Sequence, residues 1–243
     1  MVASMTWSEI LSVFSPLDFA AVALLFVAWV AIGLVIEYPP ASRPSVSALM
    51  AEYRREWMRQ FVTRDPRIFD AQIVSNLRQG TAFFASASMI AVGGGLALVG
   101  NSEQLTGIAE DLIQTNEPDV FWEIKLVVML LFAANAFLKF VWSHRLFGYC
   151  SVLMAATPND PSDPRAYPAA AKAAEINITA ARGYNRGLRS VYFGIGASAW
   201  LLGALPLILA VIATLIIVGR REFASDSRIV LLDNPALEGH TQT

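Results

Sequence analysis

The chain has 243 residues, of which 55% are hydrophobic and only 16% are charged. An average soluble domain carries roughly 25% charged residues, so this composition excludes disordered and collagen-like chains and favours a membrane protein. The net charge of -2 provides no global basic field, so we expect no nucleic-acid partner. The single cysteine, Cys150, excludes an intrachain disulfide framework and a cysteine-based zinc site.

Four apolar stretches are long enough to cross the hydrocarbon core of a bilayer, which takes about 20 helical residues. They cover residues 17–36, 81–99, 122–142 and 191–218. None shows the alternation of barrel strands, so we predict an all-α integral membrane bundle of four transmembrane helices with amphipathic interfacial helices. We expect one domain over residues 1–223 and a polar C-terminal tail over residues 224–243. The fourth stretch is longer than one bilayer requires, so it should tilt, kink at Pro206 or protrude.

Positive charges indicate which side of the membrane each connection occupies. Residues 37–80 contain seven arginines and residues 143–190 contain six basic residues, whereas residues 100–121 contain none. We therefore expect the two long connections in the cytoplasm and both termini on the opposite side. The arginines that follow the last span disagree with this placement of the C-terminus: Arg220, Arg221 and Arg228. No Lys or Arg precedes the first span, so we expect it to remain in the mature chain and not to act as a cleaved signal peptide.

The connections also contain helical patterns. Apolar residues at three- and four-residue steps predict an amphipathic helix on the inner leaflet: Val46, Leu49, Met50, Tyr53, Trp57 and Phe61. Its arginines either hold the helix at the interface or recognise a specific lipid or partner. Asp65-Pro66 is typical of a helix start with proline at the first helical position. Residues 105–113 predict a short outer helix, and an alanine-rich helix is expected from about Tyr167 into the fourth span.

Ionisable residues inside a span indicate a functional site unless they are paired or reach the headgroups. Asp18 and Lys125 lie near the outer face, and Glu37 and Lys139 lie near the inner face. Their matching depths predict two cross-helix pairs, Asp18 with Lys125 and Glu37 with Lys139. The alternative is that each lysine extends to its nearest headgroups.

Polar and small residues mark two further helix faces. Asn135, Lys139 and Ser143 stand four residues apart on the third span, so this stripe should point into the bundle. It either bonds neighbouring helices together or lines a small polar pathway. Ala87, Ala91 and Gly95 form a ridge of small residues on the second span, which serves either internal packing or an interface with another chain.

Polar residues also gather near the inner ends of the second and fourth spans: Asn76, Arg78, Gln79, Asn177, Asn185, Arg186 and Arg189. If those ends adjoin, their guanidinium groups form a pocket suited to a phosphate or a lipid headgroup. The alternative is ordinary positive charge flanking the spans.

No motif in the sequence supports catalysis. There is no paired-carboxylate, HExxH, GxSxG or Walker-type motif, so we expect no enzyme activity, no metal and no cofactor. A bis-histidine haem is not available, because His240 lies in the tail and leaves only His144 in the bundle. An intramembrane enzyme stays possible but unsupported.

Several stretches of the sequence resemble one family. They are residues 64–72 (RDPRIFDAQ), 76–86 (NLRQGTAFFAS), 137–149 (FLKFVWSHRLFGY) and 181–189 (ARGYNRGLR). These stretches resemble the DUF599 family of multi-pass membrane proteins, whose name records an unknown function. The resemblance implies four spans in a bacterial inner (plasma) membrane, and it brings no catalytic residues.

Two functions of different classes follow. The first is an accessory or scaffold subunit that associates with itself or with a larger membrane complex, as the small-residue ridge and the interfacial helices suggest. The alternative is a small transporter or channel that uses Asn135, Lys139 and the inner arginine cluster.

Overall fold

The computed structural model describes residues 12–101 and 118–233. These residues form seven α-helices, which we number in chain order: α1 (Pro16–Glu37), α2 (Val46–Phe61), α3 (Ile68–Val99), α4 (Asp119–Ala155), α5 (Ala166–Ala197), α6 (Ala204–Phe223) and α7 (Asp226–Leu232). Four are long and apolar enough to cross a membrane, namely α1, α3, α4 and the segment that starts with α6. The prediction of an all-α membrane bundle is therefore confirmed. The outer helix predicted for residues 105–113 lies outside the described residues.

The fourth predicted span, residues 191–218, is not one helix. α5 ends at Ala197, and a short 3-10 helix, Ser198–Leu202, follows it. Gly203 then adopts φ 122° and ψ 175°, a conformation essentially restricted to glycine, and α6 begins at the next residue. The chain reverses here, because a Cβ built on Gly196 in α5 would lie 3.2 Å from the Thr214 hydroxyl in α6. The break therefore falls before Pro206, at the glycine.

The chain divides into two compact units. Within the described residues, unit 1 comprises the chain up to Ala31, Ala85–Leu138 and Gly187–Leu215, and unit 2 comprises Ile32–Phe84, Lys139–Arg186 and the chain from Ile216. Five helices, α1, α3, α4, α5 and α6, therefore begin in one unit and end in the other. Hydropathy reveals only four of these five helices, because α5 is too polar to qualify as a span.

Unit 1 is held together by aromatic packing around Phe132 of α4. Its ring stacks on Phe26 with 5.4 Å between the ring centroids, and the Trp29 ring meets it edge-on at 5.3 Å. α5 approaches the same ring closely, since a Cβ on Gly194 would lie 3.1 Å from the Cβ of Phe132. Glycine therefore permits α5 to enter this apolar core.

Unit 2 contains the amphipathic helix α2, which spans the residues that the apolar periodicity predicted. Ser45 caps its first turn by accepting a hydrogen bond from the backbone N–H of Ala48, and its hydroxyl donates to the Ile36 carbonyl at 2.8 Å. The apolar face of α2 is buried against protein, where Met58 and Phe61 join a core with residues of α3, α4 and α5. Asp65-Pro66 is a cis peptide that precedes α3, so proline does not occupy the first helical position as predicted.

The C-terminal segment also packs within unit 2. Glu222 at the end of α6 accepts a hydrogen bond from the backbone N–H of Ser47 at 3.0 Å. Arg228 in α7 donates to the Pro44 carbonyl at 2.9 Å, and the Tyr53 hydroxyl donates to the Leu231 carbonyl at 3.2 Å. The predicted polar tail thus begins with a helix that contacts α2.

Replacing Gly203 by alanine should destabilise the fold, because φ 122° is strained for any residue with a Cβ. We expect G203A to lose about 1–3 kcal/mol of unfolding free energy, measured by thermal unfolding in detergent. G219A is the matched control, since Gly219 is helical and a Cβ there meets nothing within 4 Å. Equal stabilities for the two variants would contradict the assigned reversal at Gly203.

Candidate functional site

The polar residues of α5 make up the candidate functional site. This helix carries several charged and amide side chains, among them Asn177, Asn185, Arg186 and Arg189, yet much of it is buried in the protein. A polar group inside a membrane protein is costly unless another protein group satisfies it. The partners of α5 therefore decide what this set of residues can do.

Asn177 is the most buried of these residues, with a relative exposure of 0%. The Arg54 guanidinium of α2 donates a hydrogen bond to the Asn177 side-chain carbonyl, and the Asn177 amide donates to the Cys150 sulfur at 3.5 Å. Burial lowers the pKa of the Arg54 guanidinium, although an arginine starts from so high a value that it remains charged. This contact joins α2, α4 and α5 through one buried amide.

Arg186 pairs with Glu37 at the end of α1. Its Nε donates to Oε1 of Glu37 at 2.8 Å, and its Nη2 donates to the second carboxylate oxygen. The fork-to-fork geometry is the strong form of an arginine–carboxylate pair. The predicted partner of Glu37 was Lys139, and the structure shows Arg186 in that role. Beside this pair, the Asn185 amide donates to the Ser47 hydroxyl at 3.3 Å.

The predicted polar stripe on the third span faces α5. In unit 2 the Ser143 hydroxyl donates to the Ala180 carbonyl at 2.7 Å. In unit 1 the Asn135 amide donates to the Ser190 hydroxyl, also at 2.7 Å. Lys139 lies between the two on α4 and is half-buried. These bonds hold α4 to α5. They fit the first of the two explanations for the stripe, in which it bonds neighbouring helices together.

Asp18 and Lys125, the second predicted pair, share an indole in unit 1. The Trp200 Nε1 donates to Oδ1 of Asp18 at 2.7 Å. Lys125 is only 2% exposed, and its Nζ lies 3.8 Å from the Phe121 ring centroid and 5.6 Å from that of Trp200. No direct ion pair joins the two charges among the described residues. Aromatic faces therefore stabilise the buried ammonium, an interaction that strengthens on desolvation.

The predicted inner cluster does not form one pocket. Asn76, Arg78 and Gln79 are exposed on α3, and the Asn76 side chain accepts a hydrogen bond from Gln72. Asn177, Asn185 and Arg186 turn instead to α2, α4 and α1, as described above. Arg189 is buried in unit 1. Proximity to the ends of two spans was therefore not enough to bring these side chains together.

Sequence reasoning missed a second polar junction in unit 2. Asp70 in α3 is buried, and its Oδ1 accepts hydrogen bonds from the Trp57 indole at 2.7 Å and from the Arg64 guanidinium. Its Oδ2 is buried and has no hydrogen-bond partner in the described part of the chain. The only signal in the sequence was that Arg64 and Asp70 both fall in the first stretch that resembles a family.

The fold and these contacts define the class of protein. It is an all-helical membrane protein with four helices apolar enough to cross a membrane and one long, more polar helix, α5. No metal-binding group of three or more His, Cys, Asp or Glu residues occurs in the ranges that the structure describes. The chain belongs to the DUF599 family, described as a protein of unknown function, whose match covers residues 20–227. Neither a curated protein nor a solved structure matches the chain.

Asn177 and Asn76 were predicted to share one pocket. In the structure Asn177 is fully buried, whereas Asn76 is exposed. N177A removes the acceptor of the half-buried Arg54 and should lower the unfolding free energy by about 1–3 kcal/mol. N76A removes an exposed amide, so its effect should stay within about 0.5 kcal/mol. Thermal or denaturant unfolding in detergent measures both variants. Similar losses in both would show that Asn177 is not the buried partner of Arg54.

Proposed function

We propose that this protein is a non-catalytic accessory or scaffold subunit of a membrane assembly, which associates through the outward face of α3. One observation carries this proposal: α3 is the least buried of the four apolar helices. Only 6% of the residues in its 18-residue apolar stretch are buried inside the protein. In the corresponding stretches of α1, α4 and the α6 segment, 22–28% of the residues are buried. A helix with so little contact to its own bundle has surface available for another chain.

The composition of this outward face favours a protein partner over lipid alone. Ala87 and Ala91 of the predicted ridge are exposed, and Gly95 turns inward against Leu130. Gly93 and Gly94 are also exposed, and a Cβ on either would meet nothing within 4 Å. Glycine costs about 1 kcal/mol relative to alanine in a helix, and packing against the described residues does not offset that cost. Small residues do permit close approach of a second transmembrane helix.

The transport alternative has weaker support. It uses Asn135 and Lys139 to line a polar pathway, but the Asn135 side chain donates a hydrogen bond to Ser190 of α5, and Lys139 is half-buried on the same side of α4 as Asn135. The inner arginine cluster that would have attracted an anion is divided among separate partners. These groups contribute to packing, and a pathway would require them to exchange those bonds for water or substrate.

We also propose a placement in the membrane. The protein lies in a bacterial inner membrane with its N-terminus periplasmic and its C-terminus cytoplasmic, and α5 provides a fifth crossing. Two observations support this. The C-terminal α7 contacts α2 in the arginine-dense first connection, and Arg220, Arg221 and Arg228 then obey the positive-inside rule.

Crosslinking in native membranes tests the association. In a background where Cys150 is replaced by alanine, A91C on the outward face of α3 should form an intermolecular disulfide on mild oxidation. V27C is the matched control, because Val27 is 65% exposed on α1. The expected result is a crosslinked band for A91C alone, either a homodimer or a larger adduct. Absence of a crosslink above the V27C level would refute association through this face.

Labelling of single cysteines tests the placement. In the same background, Q60C in α2 and S227C in α7 should react with an impermeant maleimide only after the membrane is opened. N101C, in the connection after α3, should react in intact spheroplasts. All three positions are exposed in the structure. Reaction of S227C in intact spheroplasts would contradict the cytoplasmic C-terminus.

A further inference from the structure

A cavity of about 240 Å³ lies in unit 2, between the end of α2, the start of α3 and the end of α4. Its lining is mostly apolar, from Phe61, Ala71, Val74, Met154 and Ala155, and three polar residues complete it: Arg67, Ser151 and Asn159. Ala71, Ala155 and Asn159 are exposed, so the cavity can be reached from outside the protein. None of the residues considered in the sequence analysis as site residues lines it.

Arg67 gives this cavity its charge. Its guanidinium donates to the carbonyls of Thr157 and Pro158 at 2.8 Å and to that of Val62 at 3.2 Å, and it lies 4.2 Å from the Phe61 ring centroid. An arginine has five N–H donors, so these three bonds hold the group in place and leave two donors unused. These carbonyls and the ring stabilise the cation but carry no formal negative charge, and no carboxylate pairs with Arg67 within the described ranges.

The acidic residues of the adjacent loop are engaged elsewhere. Asp160 accepts hydrogen bonds from Ser162, and Asp163 pairs with Arg165, whose guanidinium lowers the pKa of that carboxyl to about 2. The half-buried cation at Arg67 therefore complements an anion brought by a ligand. The side-chain amide of Asn159 can donate a further hydrogen bond to such an anion.

The mostly apolar lining of the cavity favours a ligand that also carries an apolar chain. Ile68 and Phe69, which follow Arg67 directly, are 73% and 66% exposed. Val152, beside Ser151 on α4, is 67% exposed. A phosphate that accepts a hydrogen bond from a guanidinium and adjoins apolar surface is typical of an anionic phospholipid, and arginine is well suited to bind it.

We propose that this cavity binds the phosphate of an anionic phospholipid, with Arg67 as the phosphate ligand and the apolar lining in contact with the start of the lipid's acyl region. This site is independent of the proposed association through α3. It assigns to Arg67 the kind of role that the sequence predicted for other residues, such as Arg78 and Arg186. The same phosphate chemistry could come from free inorganic phosphate, which the experiment distinguishes.

Native mass spectrometry of the detergent-purified full chain tests the proposal. The protein is titrated separately with phosphatidylglycerol, with zwitterionic phosphatidylcholine and with inorganic phosphate. We expect phosphatidylglycerol to be retained about tenfold more than phosphatidylcholine. Phosphatidylglycerol carries a net negative charge, whereas the choline group of phosphatidylcholine balances its phosphate. A155L fills the cavity without altering Arg67 and should abolish this preference. A82L, an equivalent change at an exposed position of α3 outside the cavity, should preserve it.

R67Q removes the charge and should reduce phosphatidylglycerol retention about as much as A155L does. Because R67Q also loses bonds to three carbonyls, A155L keeps the test decisive if R67Q does not fold. Equal retention of the two lipids, or an unchanged preference in A155L, would overturn the site. Binding of inorganic phosphate that A155L abolishes, without lipid retention, would overturn the assignment to a phospholipid.

Discussion

The constraint on which this structure depends is that a polar helix inside a membrane protein must find its partners within the protein. α5 carries amides and guanidinium groups that lipid cannot solvate, and matching groups come from α1, α2 and α4. Arg54 satisfies Asn177, Glu37 satisfies Arg186, and α4 contributes Asn135 and Ser143. The apolar helices can then present their other faces to hydrocarbon, which explains why so many of their large side chains are exposed.

The same constraint accounts for the position of the C-terminus. Once α5 is included as a helix that passes from unit 2 into unit 1, α6 must return, and its end reaches α2. Glu222 and Arg228 then serve as contacts for the first connection, Glu222 with the backbone of Ser47 and Arg228 with that of Pro44. In the proposed placement, the arginines that follow the last span obey the positive-inside rule. The proposed placement differs from the predicted one because it counts α5 as a fifth crossing.

Sequence patterns predicted much of this fold, because hydropathy and helical periodicity are local properties. The first three apolar stretches lie within α1, α3 and α4, and the predicted amphipathic helix is α2. Asn135 and Ser143 of α4 both bond to α5. The break at Gly203 was missed, since residues on both sides of it are apolar and only the backbone conformation reveals the reversal.

The candidate site was harder to predict, because partners depend on which helices adjoin. Depth alone matched Glu37 with Lys139 and Asp18 with Lys125, whereas the structure places Arg186 on the first carboxylate and an indole between the second pair. Trp200 lies in the segment between α5 and α6 that was predicted as part of one span. The sequence did not predict Arg67 as a site residue, because its partners are backbone carbonyls, which leave no pattern of side chains in the sequence.

The central claim is that α5 crosses with the apolar helices, so that α2 and α7 lie on one side of the membrane and in contact. A spin-label distance between E52C and S227C, in a chain with Cys150 replaced and reconstituted into nanodiscs, measures this most directly. The account predicts a distance well below the hydrocarbon thickness of about 30 Å. A distance greater than that thickness would place the two helices on opposite sides and contradict the account.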